Sequence, residues 1–239
     1  MNTATWKQQL ERRLLEGDTP EVLTTAMLRA MTIAGRSEPP SPATFARWLQ
    51  DWVAKGMLRE VIKGVYLNRI GHRDVTPAAA AAHIRRGSIV SMSWVLEQAG
   101  ITNNFGDTVT CIIPTDPAWP NPQIGDRTTA AGTFRFFGMP AKVVDAGKFE
   151  DNRDARFDYP RATPERALVD WIYLGASARS RLSPPPRDLD LAGLKDRARL
   201  KRLVKATGVQ REFDEWKSKY ETYQRDEDVR ENAATGMRW

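Results

Sequence analysis

The sequence predicts an α+β protein, and three observations carry that prediction. Apolar residues recur at helical spacing through the first 55 residues. The pattern then collapses into two short β-prone runs about a Lys63-Gly64 turn signal. Beyond residue 76, helical and strand-like patterns interleave.

Trp6, Leu10 and Leu14 recur every four residues, so 5–16 reads as an amphipathic helix ended by Gly17. Thr19-Pro20-Glu21 reads as the next helix start, with a capping threonine, a first-turn proline and a carboxylate suited to the helix dipole. Val22, Leu23, Ala26, Met27, Ala30 and Met31 give that helix one apolar stripe, and Gly35 stops it. A polar, Pro-rich connection, Arg36–Pro40, follows. Ser41-Pro42 repeats the cap-then-proline signal, and the third helix, 42–55, carries Phe45, Trp48, Leu49, Trp52 and Val53 on one face. Gly56 closes it, and Met57–Ile62 and Val65–Asn68 form a hairpin. Three helices and then a hairpin make one module over residues 1–72, in the order of a helix-turn-helix followed by a wing.

Residues 69–75 read as a linker. Thr76-Pro77 opens an alanine-rich helix to about Arg86, and Ser91 caps a helix with Met92, Val95, Leu96 and Ala99 inward. Thr108–Ile113, Thr133–Gly138 and Ala141–Asp145 read as strands, with a proline-rich loop, Pro114–Pro122, holding Trp119. Thr163-Pro164-Glu165 starts a helix with Ala167, Leu168, Trp171, Ile172 and Leu174 apolar. Pro184-Pro185-Pro186 precedes a basic helix at 191–206, and a last amphipathic helix, 209–223, aligns Val209, Phe213, Trp216, Tyr220 and Tyr223. The whole is an α/β domain over 76–223 with a polar tail at 224–239.

Composition excludes several classes. The 239 residues are 41% hydrophobic and 28% charged, with a mean hydropathy of −0.52. No apolar run approaches the roughly 18–20 residues that span a bilayer, and Met1–Arg13 lacks the apolar stretch of a signal peptide. A cytoplasmic protein with no membrane partner is the expectation. Cys111 is the sole cysteine, which excludes an intramolecular disulfide, and with only His72 and His83 beside it most zinc sites are excluded as well. Phosphate-loop and dinucleotide fingerprints are absent, as is a nucleophile elbow. Glu165 and Asp170 lie five apart on one helix and diverge. No catalytic residue, metal or cofactor is expected, and an enzyme is not.

The sharpest functional signal lies in the first module. In a helix-turn-helix the second helix of the motif presents its N-terminal residues to base edges in the major groove of duplex DNA. Opposite the apolar arc of 42–55 stand Ala43, Thr44, Arg47, Gln50 and Asp51. Arg47 suits a bidentate contact to guanine and Gln50 one to adenine, while Ser41 and Thr44 suit phosphates at the helix N-terminus. Arg59 and Lys63 sit on the wing, within reach of the adjacent backbone or the minor groove. Against this stand Asp51 and a modest charge balance, 11 Lys+Arg to 8 Asp+Glu over residues 1–75. The competing reading is a winged helix that binds protein. A second basic surface is offered by Lys195, Arg199 and Arg202, within a run of six cations over 195–205. The bland reading of that run is the solvated side of a helix buried through Leu194, Ala198, Leu200, Leu203 and Val204.

Three segments resemble one known family. Gly56–Leu67 resembles the wing that closes the N-terminal winged helix of the AbiEi-family antitoxins. Ile89–Ile101 is similar to the helix that opens that family's second domain, and Ala162–Leu174, with Pro164-Glu165, is similar to its later Pro-Glu motif. Order and spacing match, all within 56–174. The resemblance implies a bacterial cytoplasmic protein of a type IV toxin–antitoxin, or abortive-infection, system. Such a protein represses its own operon by binding operator inverted repeats and opposes a nucleotidyltransferase-like toxin. It places the DNA contacts on 41–51 and on the Arg59–Gly64 wing, Gly64 included, and gives Ala162–Leu174 a fold-building role. The expectation is therefore an autorepressor and antitoxin, a monomer in solution or a dimer on DNA. The alternatives are a stand-alone winged-helix regulator without a toxin and a winged-helix protein-interaction module.

Overall fold

The computed structural model describes residues 5–16, 19–33, 39–72, 74–102, 106–116, 118 and 124–235, with side chains to 227 in the last helix. Gly17, Gly35, Arg36 and Trp119, on which sequence expectations fall, lie outside the described residues. The chain divides into two compact units, Met1–Arg86 with Arg127–Phe134, and Gly87–Asp126 with Arg135–Trp239.

In the first unit, α1 (Trp6–Leu15) begins with a reciprocal cap: the Gln8 amide donates to the Thr5 hydroxyl, and the Thr5 amide to the Gln8 side chain. Then come β1 (Val22–Thr24), α2 (Thr25–Ile33), α3 (Pro42–Ala54), β2 (Leu58–Ile62) and β3 (Val65–Asn68). The three strands form an antiparallel sheet in the order β1-β3-β2, with Val22 opposite Leu67 and Leu58 opposite Asn68. Helix, strand, two helices and a hairpin closing on the first strand is the winged helix-turn-helix topology. Its core joins Leu10, Leu14, Leu23, Leu28 and Leu58 to an aromatic row along α3. Phe45 lies 5.8 Å from Trp48, and Trp48 lies 5.0 Å from Trp52, centroid to centroid. Burying each such side chain is worth about 1.5–3 kcal/mol, so this row anchors α3 and fixes which face it leaves outside.

β1 corrects the sequence reading. Val22–Thr24 is a strand rather than the first turn of a helix, and Thr19 is no cap. The Thr19 hydroxyl bonds the Glu16 carbonyl at 2.9 Å, while the Thr24 hydroxyl receives the Met27 amide at 3.2 Å at the actual helix start. Pairing with β3 overrides helical periodicity there. The linker-and-helix expectation after residue 72 changes too. Pro77–Ala80 is a 3-10 turn running into α4 (Ala81–Ile84), and Ala78, Ala79, Ala80 and Ala81 are all buried. The turn packs on β3, so these residues belong to the first unit, and the boundary expected near 72–76 falls at Arg86.

The rest of the chain holds β4 (Ile89–Val90), α5 (Ser93–Gln98), β5 (Thr108–Thr115), β6 (Gly125–Thr129) and β7 (Gly132–Pro140), in the sheet order β4-β5-β7-β6, with Arg127–Phe134 of β6 and β7 counted in the first unit and the remainder in the second. Around it lie α6 (Ala141–Val144), α7 (Phe149–Asn152), α8 (Pro164–Ala176), α9 (Arg197–Thr207) and α10 (Gln210–Thr235). The fold is α+β, as the pattern predicts. The expected strand Ala141–Asp145 is instead the helix Ala141–Val144, with Asp145 as its C-cap. The basic segment 191–206 is a 3-10 turn, Leu191–Gly193, followed by α9. Ser91 does not cap α5; Met92 takes that position at φ 57°, and the Ser91 hydroxyl donates instead to Asp170. The final helix runs through the expected polar tail to Thr235, with no glycine or proline to stop it, and pairs such as Lys217–Glu221 support its exposed side. Among the described residues, no helix is long and apolar enough to cross a membrane.

Candidate nucleic-acid interface

Ser41 caps α3, accepting the Thr44 amide at 3.2 Å, and Pro42 stands at the first helical position, where its missing N–H costs nothing. The Ser41 and Thr44 hydroxyls lie 2.9 Å apart and bond each other, so both sit at the helix N-terminus but are already engaged. With Phe45, Trp48, Leu49 and Trp52 inward, Ala43, Thr44, Arg47, Gln50 and Asp51 are exposed on the opposite side. Arg47 and Gln50 are one turn apart on that side, and neither holds a hydrogen bond or ion pair among the described residues. Asp51, the residue that argued against a phosphate neighbour, is bonded to Lys55 at 2.6 Å. An exposed pair of this kind adds little stability, but it neutralises the carboxylate locally.

The wing residues divide. Lys63 is exposed in the two-residue turn. Gly64 has φ +82°, the left-handed region that glycine enters without a steric cost. Its carbonyl accepts the Thr25 amide at 2.9 Å, and an added Cβ would stand 3.2 Å from the Thr25 hydroxyl. Gly64 therefore shapes the wing and ties it to α2. Arg59 is exposed but donates through Nη2 to the Ala130 carbonyl at 3.2 Å, so α3 and Lys63 form the unencumbered part of this face.

The second basic surface is not laid out as the charge run implied. Arg202 clamps Asp151 through Nε and Nη2 at 3.1 and 2.8 Å. Arg199 reaches Glu165 at 3.4 Å and Asp151 at 3.5 Å. Asp151 and Glu165 are buried, so these two arginines bind α9 to α7 and α8 rather than forming a free cationic face. Lys195 is exposed ahead of the helix, and Arg197, Lys201 and Lys205 carry its solvated charge.

The Arg202 hydrogen bond, and then the Arg202 and Arg199 charges, hold the Asp151 carboxyl below its ordinary range against the opposing effect of burial. A carboxyl whose pKa falls on folding stabilises the protein above its unfolded pKa and loses that contribution as pH falls through the folded value. Thermal unfolding of wild type and Arg202→Ala should therefore differ most above about pH 5, and the Tm gap should narrow below about pH 4. A gap independent of pH would detach Arg202 from Asp151.

Sequence reasoning missed a buried network across the second unit. Arg166 and Asp170 are 2% and 1% exposed and joined at 2.6 Å. Arg166 also donates to the Val143 carbonyl and Asn152 Oδ1, each at 2.8 Å, and to the Ala146 carbonyl at 3.2 Å. Asp170 accepts from Ser91 at 2.7 Å. The available signal was an arginine and an aspartate four apart on a largely apolar helix. His72 bonds the Thr19 carbonyl through Nε2, and Cys111 is buried in β5. Among the described residues, no three His, Cys, Asp or Glu side chains converge as metal ligands would.

No protein-family model matches the chain, and no curated protein matches it. Among solved structures it is similar to the crystal structure of the RV2827C protein from Mycobacterium tuberculosis, at 17% identity and a TM-score of 0.47, over 85% of this chain and 72% of that one.

Proposed function

We propose that the first unit binds duplex DNA with α3 in the major groove and Lys63 at the flanking phosphates, and that the protein is a transcriptional autorepressor acting on operator inverted repeats. One observation carries the reading: Arg47 and Gln50 stand exposed, without a bond among the described residues, one turn apart on the face opposite the aromatic core of a winged helix. Those two side-chain types are suited to bidentate base contacts. The antitoxin role, opposing a nucleotidyltransferase-like toxin, rests on the resemblance of Gly56–Leu67, Ile89–Ile101 and Ala162–Leu174 to one family, and co-expression with a neighbouring toxin gene tests it separately.

The DNA reading is tested by fluorescence anisotropy on DNA upstream of the protein's own gene, beside a scrambled duplex, at several salt concentrations. Preference for the upstream duplex that persists as salt rises supports a repressor. Equal binding that collapses with salt reduces the result to the net charge of +6, and no binding to either duplex favours the protein-interaction module. Lys63→Ala is expected to weaken binding to both duplexes alike and to flatten the salt slope by about one.

A further inference from the structure

The second unit holds a cavity of about 630 Å³, lined by five cations and three carboxylates. Two of the cations are matched. Arg156 grips Asp154 through two bonds of 2.9 and 2.7 Å, and Arg199 reaches Glu165, which also accepts the Asp196 amide at 3.0 Å. Arg153, Arg161 and Lys195 remain; Glu150 is the third carboxylate on the lining, and the Asp154 charge also acts on Arg161.

Arg161 is 6% exposed. Its guanidinium carbon lies 4.1 Å from the centre of the Phe157 ring, Nη1 donates to Tyr159 at 3.4 Å, and Nε is buried with no hydrogen-bond partner among the described residues. Arg153 Nη1 is likewise buried and unpartnered. Burial, and then the neighbouring Arg166 charge, lowers the Arg153 pKa against the opposing charges of Asp170 and Asp145. Native proteins rarely leave guanidinium donors in this state, because an unpaired buried polar group forfeits its hydration without replacement. Both arginines line the cavity, where an anion would offer them an acceptor. Phe149, on the same lining, is 74% exposed, an open aromatic face beside the unpaired cations.

We propose that this cavity binds a nucleoside monophosphate, with the phosphate received by Arg153, Arg161 and Lys195 and the base stacked on Phe149. An excess of two cations over carboxylates on the lining suits a phosphate monoester dianion, and a volume of about 630 Å³ suits a single nucleotide rather than a strand. The cavity lies wholly within the second unit, so the inference does not rest on the DNA-binding reading.

The test is titration calorimetry of the full chain with AMP, inorganic phosphate, adenosine and a single-stranded trinucleotide lacking terminal phosphates. AMP is expected to bind, inorganic phosphate to bind more weakly, and adenosine not to bind. Lys195→Ala should weaken AMP about tenfold. Phe149→Ala should weaken AMP but leave inorganic phosphate unchanged. Both side chains are exposed, so neither variant threatens the fold. No heat with AMP, equal affinity for AMP and phosphate, or AMP affinity unchanged in both variants overturns the proposal. Tighter binding of the trinucleotide than of AMP also overturns it, since the phosphate would then come from a nucleic-acid backbone.

Discussion

Arg166→Leu is expected to destabilise the second unit by about 3–5 kcal/mol, the cost of removing one partner from a buried ion pair. The substitution leaves the buried Asp170 carboxyl with the Ser91 hydroxyl as its remaining donor among the bonds described above, and it strips a donor from the Val143 and Ala146 carbonyls. In thermal unfolding this corresponds to a Tm loss on the order of 10 °C. Arg166→Lys should fall between, because an ammonium can meet Asp170 but cannot serve acceptors spread from Val143 to Asn152 in one fork. The double variant Arg166→Leu/Asp170→Leu should recover much of the loss, since a well-packed apolar pair often matches a buried ionic one. Denaturant unfolding of the three variants reads this out. A single-variant loss under about 1 kcal/mol would mean the network rearranges around the missing guanidinium.

That network shows where sequence reasoning stops. The burial face of α3 is legible because it is local: Phe45, Trp48, Leu49 and Trp52 repeat at the helical period, and the same arithmetic leaves Arg47 and Gln50 outside. The wing is legible because Lys63-Gly64 demands a left-handed residue, which Gly64 supplies at φ +82°. β1 was hidden because Val22 and Leu23 fit the stripe of the helix that follows, and only their pairing with Leu67 and Tyr66 distinguishes strand from helix. β6 was hidden for the opposite reason, since Gly125–Thr129 is polar and largely exposed and so carries no alternation of burial.

Charge was the hardest signal to read. A run of cations over 195–205 cannot declare which members meet acids far away in sequence. Arg202 meets Asp151 across 51 residues and Arg199 meets Glu165 across 34, and both acids look like ordinary helix-start carboxylates until those contacts form. The same holds for Arg161 and Arg153, whose unpartnered donors follow from tertiary burial. Local amphipathicity predicts which face is buried; it does not predict which buried charges are satisfied.

Arg47→Ala should have the largest effect on function, and the structure isolates it well. Arg47 is exposed, lies outside the aromatic core of the first unit and forms no bond among the described residues, so its loss should leave stability within about 0.5 kcal/mol of wild type. A side chain in bidentate contact with a guanine accounts for about 1–3 kcal/mol of discrimination, so operator affinity should fall by roughly 5- to 150-fold. The decisive feature is the pattern across sequences. Binding by Arg47→Ala should become indifferent to one base position while discrimination elsewhere persists, whereas Lys63→Ala should lower affinity for every duplex together. Gln50→Ala should relax a different position about one helical turn along α3. Anisotropy against a set of singly substituted operators separates these outcomes. If Arg47→Ala leaves every affinity untouched, α3 does not enter the groove with this face, and the unengaged side of the helix belongs to a protein partner instead.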